Sequence, residues 1–220
     1  MNDPSSYLGL ILQGALVTVE LTFLGCLLAL CMAFLGGLAR LSNYLLLRTL
    51  ATIYIEFFRG TSIFVQLFWA YFVLPLIGFP LSPFFAGVVA LGLNVGAYGA
   101  EVVRGGILSV PRQQHEACVA LNFNAWQKLW HVILPQAIPV MLPTFGNNAI
   151  ELLKGTAVVS LISIADMTFQ AQVVRSQTGN TAFPFLTILL LYFLISLVIS
   201  RSVRALENRM SRGMDVSRVQ

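Results

Sequence analysis

The stretches LTFLGCLLALCMAFLGGLA (21–39) and AFPFLTILLLYFLISLVIS (182–200) each run for 19 residues without a charge. An α-helix needs about 20 apolar residues to cross bilayer hydrocarbon, and a helix satisfies its own backbone hydrogen bonds there. Two such runs exclude a soluble fold. The mean hydropathy of +0.81, with 57% hydrophobic and 10% charged residues, agrees. The expected class is an all-α integral membrane protein with about five transmembrane helices. The candidate spans are 8–38, 52–76, 83–107, 137–165 and 183–206. Residues 1–220 then form one transmembrane domain, so ligand-capturing or energy-converting modules are expected on other chains. Glu20 confines the strict core of the first run to 21–39. LPLIGFPLSP, with three prolines and a glycine, and SQTGNTAFP read as turns between spans. No removable signal peptide is expected in MNDPSSYLGL. Cys26, Cys31 and Cys118 show no CxxC spacing, so no disulfide or metal site is implied.

Lysine and arginine favour the cytoplasmic side of a membrane. Arg40, Arg48 and Arg59 lie near the first connection, and Arg104, Arg112 and Lys128 in or beside the third. Arg201, Arg204, Arg209, Arg212 and Arg218 follow the last run. These are eleven of the thirteen basic residues. Five spans with this bias put the N-terminus outside and the C-terminus in the cytosol. The basic residues are scattered along membrane edges, which accounts for the +4 net charge and gives no nucleic-acid surface.

One segment breaks the apolar pattern. RQQHEACVALNFNAWQKLWHVILPQ (112–136) places two histidines, a glutamate, an arginine and a lysine between two long runs. Gln113 to Phe123 reads as a short helix after Pro111, with small residues on one side. AWQKLWHVILP adds Trp126, Leu129, Trp130, Val132 and Ile133. Spacing alone leaves two readings open, an interfacial helix pair on the inner leaflet and a docking knob for a cytosolic partner.

HEACVALNFNAWQKLWHVILP resembles the cytoplasmic signature of bacterial ATP-binding-cassette importer permeases: EAA, three residues, Gly, nine residues, then I-x-L-P. The matching positions are Glu116, Ala117, Cys118, Asn122, Val132, Leu134 and Pro135, with Cys for Ala, Asn for Gly and Val for Ile. EFFRGTSIFVQLFW, AYGAEVVRGGILSVP, ILPQAIPVMLPTFGNNAIELLKGTAVVSLISIADM and YFLISLVISRSVRALE resemble the polar amino-acid subfamily. Gly155 and Ala157 stand where that subfamily often has an acidic residue and a serine, and Arg112 where a glycine is frequent.

The resemblance implies a five-span subunit of a bacterial cytoplasmic (inner) membrane. It would pair with a second copy or a related permease, two cytosolic ATPases and an extracytoplasmic solute-binding protein. Glu116, Ala117, Cys118, Ala120, Leu121, Asn122, Leu134 and Pro135 would form the coupling segment that the ATPase grips. No GxxxxGK[ST] occurs, so no nucleotide or other cofactor is expected on this chain; ATP would sit on the partner subunit.

Charged residues at membrane depth are costly and need a partner or a path. Glu56 with Arg59, Glu101 with Arg104 and Glu151 with Lys154 share the i, i+3 spacing that places both side chains on one helix face. The first two pairs read as anchors or an inner gate. Thr144, Asn147, Asn148, Glu151 and Lys154 recur at three- and four-residue intervals as one polar stripe. That stripe either packs against a partner permease or lines the path of a small zwitterionic solute. Asn94, Tyr98 and Glu101 form a shorter stripe. Pro135, Pro139 and Pro143 imply either a static kink or a hinge beside the coupling segment.

Two other classes compete. A stand-alone ion-coupled carrier or channel would use the intramembrane charges itself, but no repeat symmetry is visible in five spans. An enzyme would need a reactive constellation, and neither HExxH nor GxSxG occurs. His115 and His131 are read as surface residues of the cytosolic segment.

Overall fold

The computed structural model of the chain describes residues 4–211. Every regular element among them is helical. Helix α1, Pro4–Arg40, is the longest. Its central partner is α4, Pro83–Leu108. These helices approach closely because small residues face each other: a Cβ on Gly99 would lie 2.7 Å from Cβ of Ala33, and one on Gly37 2.7 Å from Cβ of Val103. Lipid tails are as apolar as leucine, so close van der Waals packing is what holds two membrane helices together.

The expected second span, 52–76, is not one helix. Helix α2, Leu45–Gly60, ends at the extended residues Thr61 and Ser62. The chain then turns through 107° and continues from Ile63 to Ile77. This second arm starts as α3, Ile63–Phe68, widens into a π-turn at Trp69–Val73 and tightens into a 3-10 turn at Leu74–Ile77. The break is stabilised by side-chain amides. Gln66 Nε2 donates to Phe58 O at 2.9 Å and to Thr61 Oγ1 at 2.6 Å, while Asn94 Nδ2 donates to Phe58 O at 2.9 Å and to Gln66 Oε1 at 3.0 Å. A hydropathy run cannot register such a bend, because Gly60–Thr61–Ser62 is too short to lower its mean.

Helix α5, Arg112–Ala120, precedes α6, Ala125–Gln127. From α6 the chain passes through a π-turn at Lys128–Ile133 into α7, Leu134–Gly155, and a 3-10 turn at Thr156–Ile162. The apolar fourth run therefore belongs to a rod extending from Ala125 to Ile162. Pro139 and Pro143 lie inside α7 without interrupting it. Helix α8, Met167–Thr178, occupies part of what reads from sequence as a connection. Helix α9, Ala182–Ser211, follows; Arg212 and Arg218 fall outside the described residues.

Four helices among the described residues are long and apolar enough to span a bilayer, and a fifth span results if the two arms around Ser62 count as one. One buried cluster joins α1, α4, the second arm of the broken span and the turn after α7, through Leu21, Leu67, Leu91 and Val159. Another joins α4 to the start of α7 through Val103, Ile107, Ile133 and Met141. A third joins α1, α8 and α9 through Ile11, Met167, Val174 and Ile188.

Candidate functional site

The signature segment is largely exposed and is braced by its own hydrogen bonds. Glu116 is held by Arg112 at 3.1 Å along α5. Glu116, Ala117, Ala120, Leu121 and Asn122 are exposed, whereas Cys118 is buried and seats the helix. Asn122 adopts φ 58°, the left-handed conformation that glycine takes most readily. The turn of the glycine signature is therefore present with asparagine in its place. Phe123 N donates to Cys118 O at 3.0 Å across it. Asn124 then starts α6 with a reciprocal cap: Gln127 N donates to Asn124 Oδ1 at 2.8 Å, and Asn124 N donates to Gln127 Oε1 at 3.0 Å. Trp126 and Trp130 meet beyond it with centroids 5.1 Å apart and planes tilted by 49°. Leu134 is buried beside Ile133 and Pro135 remains exposed. Ile133 packs with Val103 and Met141, so the segment after α6 is joined to α4 and α7 through one buried cluster.

At the same end of α4, an ion cluster ties three helices together. Arg40 Nη1 bonds Glu101 Oε1, and Arg40 Nη2 stands 3.8 Å from Glu56 Oε1. Arg104 Nε donates to Glu101 Oε2 at 3.0 Å. The Glu101 and Arg104 pairing expected from spacing is present. The expected pairing of Glu56 with Arg59 is not: α2 directs Glu56 toward Arg40, and the Arg59 guanidinium lies 5.4 Å from the ring centroid of Tyr98. Arg40 has no acidic residue at i±3 or i±4 in the chain, so helical spacing marks it only as a basic residue at a membrane edge. Its place at the end of a long apolar run was the available signal.

The α7 stripe divides in two. Thr144, Asn147, Glu151 and Lys154 are exposed along one face, and neither Glu151 nor Lys154 makes an ion pair among the described residues. Asn148 turns inward. Its Nδ2 is buried without a hydrogen-bond partner, beside a cavity of about 220 Å³ lined by Cys26, Val95, Phe145 and Val203. Thr144 shares a cavity of about 360 Å³ with Glu101, Gly105 and Met141, which joins the open face of α7 to that of α4. Tyr98 is exposed one turn from Glu101. Asn94 is committed to the clamp at the broken span.

A buried polar group that spacing did not reveal sits between the spans ending at Ile162 and starting at Ala182. Asp166, fully buried, caps α8 by accepting from Thr168 N at 3.1 Å and Phe169 N at 2.9 Å. Burial pushes its carboxyl up to about 6, against the downward pull of those two backbone donors. Thr18 Oγ1 accepts from Met167 N at 3.2 Å, which fastens this turn to α1.

The family described as "binding-protein-dependent transport system inner membrane component" matches residues 12–212. A probable amino-acid ABC transporter permease of Sinorhizobium fredii, y4tF, is 45% identical over 216 residues, covering 96% of this chain and 91% of that protein. The glutamine transport system permease GlnP of Escherichia coli K12 is 36% identical over 203 residues, covering 91% of this chain and 93% of that protein. A chain from a crystal structure described as an amino acid ABC transporter with histidines superposes with a TM-score of 0.86 at 36% identity, covering 95% of this chain and 100% of that one. An inward-facing MetNI methionine transporter chain shares the fold, with a TM-score of 0.81 at 21% identity and coverage of 96% and 100%. With its projecting signature segment and its apolar spans, this chain belongs to the binding-protein-dependent inner membrane components, as a multi-pass permease subunit of an ATP-binding-cassette importer.

Proposed function

We propose that this permease lines the path of a polar amino acid or a similar small zwitterion. The observation that carries the reading is the open face of α7, where Glu151 and Lys154 stand one turn apart without an ion pair among the described residues. Charges at membrane depth face a partner or a water-filled path rather than lipid. A carboxylate and an ammonium left free together suit the two ends of a zwitterion, Glu151 for its cationic group and Lys154 for its carboxylate. Thr144 and Asn147 offer hydrogen bonds on the same face. The amino-acid and glutamine descriptions of the relatives support this class.

A second permease, a copy or a related chain, closes the path from the other side. ATP is bound and hydrolysed by a partner ATPase that grips α5 around Glu116, and an extracytoplasmic binding protein delivers the solute. The N-terminus lies outside and the C-terminus in the cytosol. Pushing on α5 and α6 then moves α7 and α4 between outward and inward access, and the cluster of Arg40, Glu56, Glu101 and Arg104 anchors the inner end. Family membership sets aside the stand-alone carrier.

The test is Glu151→Gln in a reconstituted complex whose assembly is checked by size exclusion. Loss of uptake and of substrate-stimulated ATP hydrolysis supports the reading; wild-type values for both remove Glu151 from the path. Glu116→Lys is expected to release the ATPase on co-purification, and retained tight association counts against docking through α5.

A further inference from the structure

The break in the second span lies at membrane depth. Asn94 Nδ2 donates to Phe58 O at 2.9 Å, and Tyr98 Oη reaches Arg59 O at 3.5 Å. Those partners sit near the middle of α4, about 17 to 23 Å along its axis from Pro83. Non-helical backbone at such depth is tolerated where protein buries it or where it lines a water-filled cavity. Arg59, Gly60, Thr61 and Ser62 are all exposed, and an arginine at this level faces a path rather than lipid.

The break and the open face of α7 border one space. Asn94, Tyr98, Glu101 and Gly105 share a face of α4, and the cavity between Glu101, Gly105, Val140 and Thr144 joins it to the face of α7 that carries Glu151 and Lys154. Two close approaches set the register of these helices: a Cβ on Gly99 would lie 3.4 Å from Phe145, and one on Gly155 3.0 Å from Leu91. Tyr98 is then level with Gly146, and Glu151 and Lys154 follow about 8 and 12 Å further along α7. The Arg59 guanidinium is 5.4 Å from the centroid of the Tyr98 ring.

The charges around this space do not cancel. At its inner end Glu56 and Glu101 offset Arg40 and Arg104. Arg59 is left over and makes no ion pair among the described residues; an aromatic ring holds a guanidinium without neutralising it. Glu151 and Lys154 offset each other. Glu20 shares the exposed face of α1 with Leu16, Leu24 and Leu27 and stands on neither of the two open faces. The excess of one cation favours a solute of opposite net charge.

We infer that the solute is an anionic amino acid with one ammonium and two carboxylates, in which Arg59, presented by the break, holds the second carboxylate. Glu151 takes the ammonium and Lys154 the first carboxylate, so the inference rests on the path proposed above. A five-carbon amino diacid has the reach: its carboxylates lie about 5 Å apart when extended, and a hydrogen bond of about 3 Å at each end spans about 11 Å.

The test uses the assembled permease and ATPase complex in nanodiscs, without the binding protein, so that only the membrane site is read. L-Glutamate and its neutral isostere L-glutamine are titrated separately by calorimetry. Glutamate is expected to bind about tenfold tighter, the low end of what a hydrogen bond to a charged group contributes. Arg59→Gln brings glutamate to the level of glutamine and leaves glutamine unchanged, Arg59→Lys retains the preference, and Glu151→Gln weakens both solutes alike. Equal binding in the unmodified complex, or a preference that survives Arg59→Gln, overturns the anionic class; the path reading still stands if Glu151→Gln weakens both. Binding unmoved by Glu151→Gln, or no binding of either solute, sinks the path reading and the inference together. Ser62→Cys, in a chain with Cys26, Cys31 and Cys118 replaced by alanine, gives a readout that does not require Arg59→Gln to assemble. Glutamate is expected to protect it from a water-soluble methanethiosulfonate at about tenfold lower concentration than glutamine, and equal protection overturns the inference.

Discussion

Arg40, the last residue of α1, bonds the carboxylate of Glu101 on α4, 61 positions further along the chain. The same carboxylate accepts from Arg104, so one glutamate is shared by two guanidinium groups at a single membrane edge, with Glu56 as the second negative charge. Their side chains are 22–36% exposed, which places the cluster between a solvated and a buried pair.

Arg40→Gln is expected to cost about 2 kcal/mol of stability, between the limits for surface and buried ion pairs. Glu56→Gln, at 3.8 Å and with a side chain 61% exposed, is expected to cost under about 0.5 kcal/mol. Thermal unfolding in detergent, followed by a dye that reacts with thiols as Cys26 and Cys118 become accessible, measures both. Equal costs would show that Arg40 acts without Glu101.

Asn122 holds a positive φ in the coupling turn. Asn122→Gly is expected to be neutral or to stabilise by up to about 1 kcal/mol, whereas Asn122→Val, β-branched in a left-handed position, is expected to lose about 1–2 kcal/mol. Because the turn orients Leu121 and Phe123, the valine variant should also reduce co-purification of the ATPase. An unaltered yield of complex would mean that the turn does not shape the docking surface.

Asp166 makes stability depend on pH. Its carboxyl is raised from 3.8 to about 6 by burial, so the folded state binds a proton more tightly than the unfolded chain. The contribution of Asp166 to stability is therefore largest below pH 4, falls as pH rises from about 4 to about 6, and is level above, with an amplitude of roughly 3 kcal/mol. Asp166→Asn keeps one side-chain oxygen, enough for the shorter bond from Phe169 N, and is expected to flatten that part of the profile. An unchanged slope between pH 4 and 6 in Asp166→Asn would assign the dependence to another group.

Asn94→Ala removes two hydrogen bonds from the break after Gly60 and leaves Gln66 Oε1 without that donor. A loss of about 1–3 kcal/mol is expected, seen in the same unfolding assay. In the assembled transporter at low temperature, the KM for uptake should stay near its wild-type value. A raised KM with unchanged stability would return Asn94 to the substrate path.

Much of this protein was legible without coordinates because the bilayer imposes simple rules on sequence. Length and hydropathy identify spanning segments, since hydrocarbon admits only self-satisfied backbone. The EAA-like signature and its asparagine were readable because a left-handed turn tolerates few residues. The i, i+3 rule found Glu101 with Arg104, whose geometry is local to one helix. It failed for Glu56, because Arg40 approaches from another helix and proximity across the bundle leaves no periodic mark.

The chain by itself determined its class, its apolar spans and the place of its projecting segment, all of which follow from helix period and the cost of exposing polar backbone to lipid. Only the tertiary structure decided that the second span bends at Thr61 and Ser62, that Asn94 and Gln66 stabilise the bend, and that Asn148 leaves the stripe of Glu151 and Lys154. Those outcomes depend on which helix lies opposite, and the direction in which a side chain meets a distant neighbour is set by packing rather than by its own sequence position.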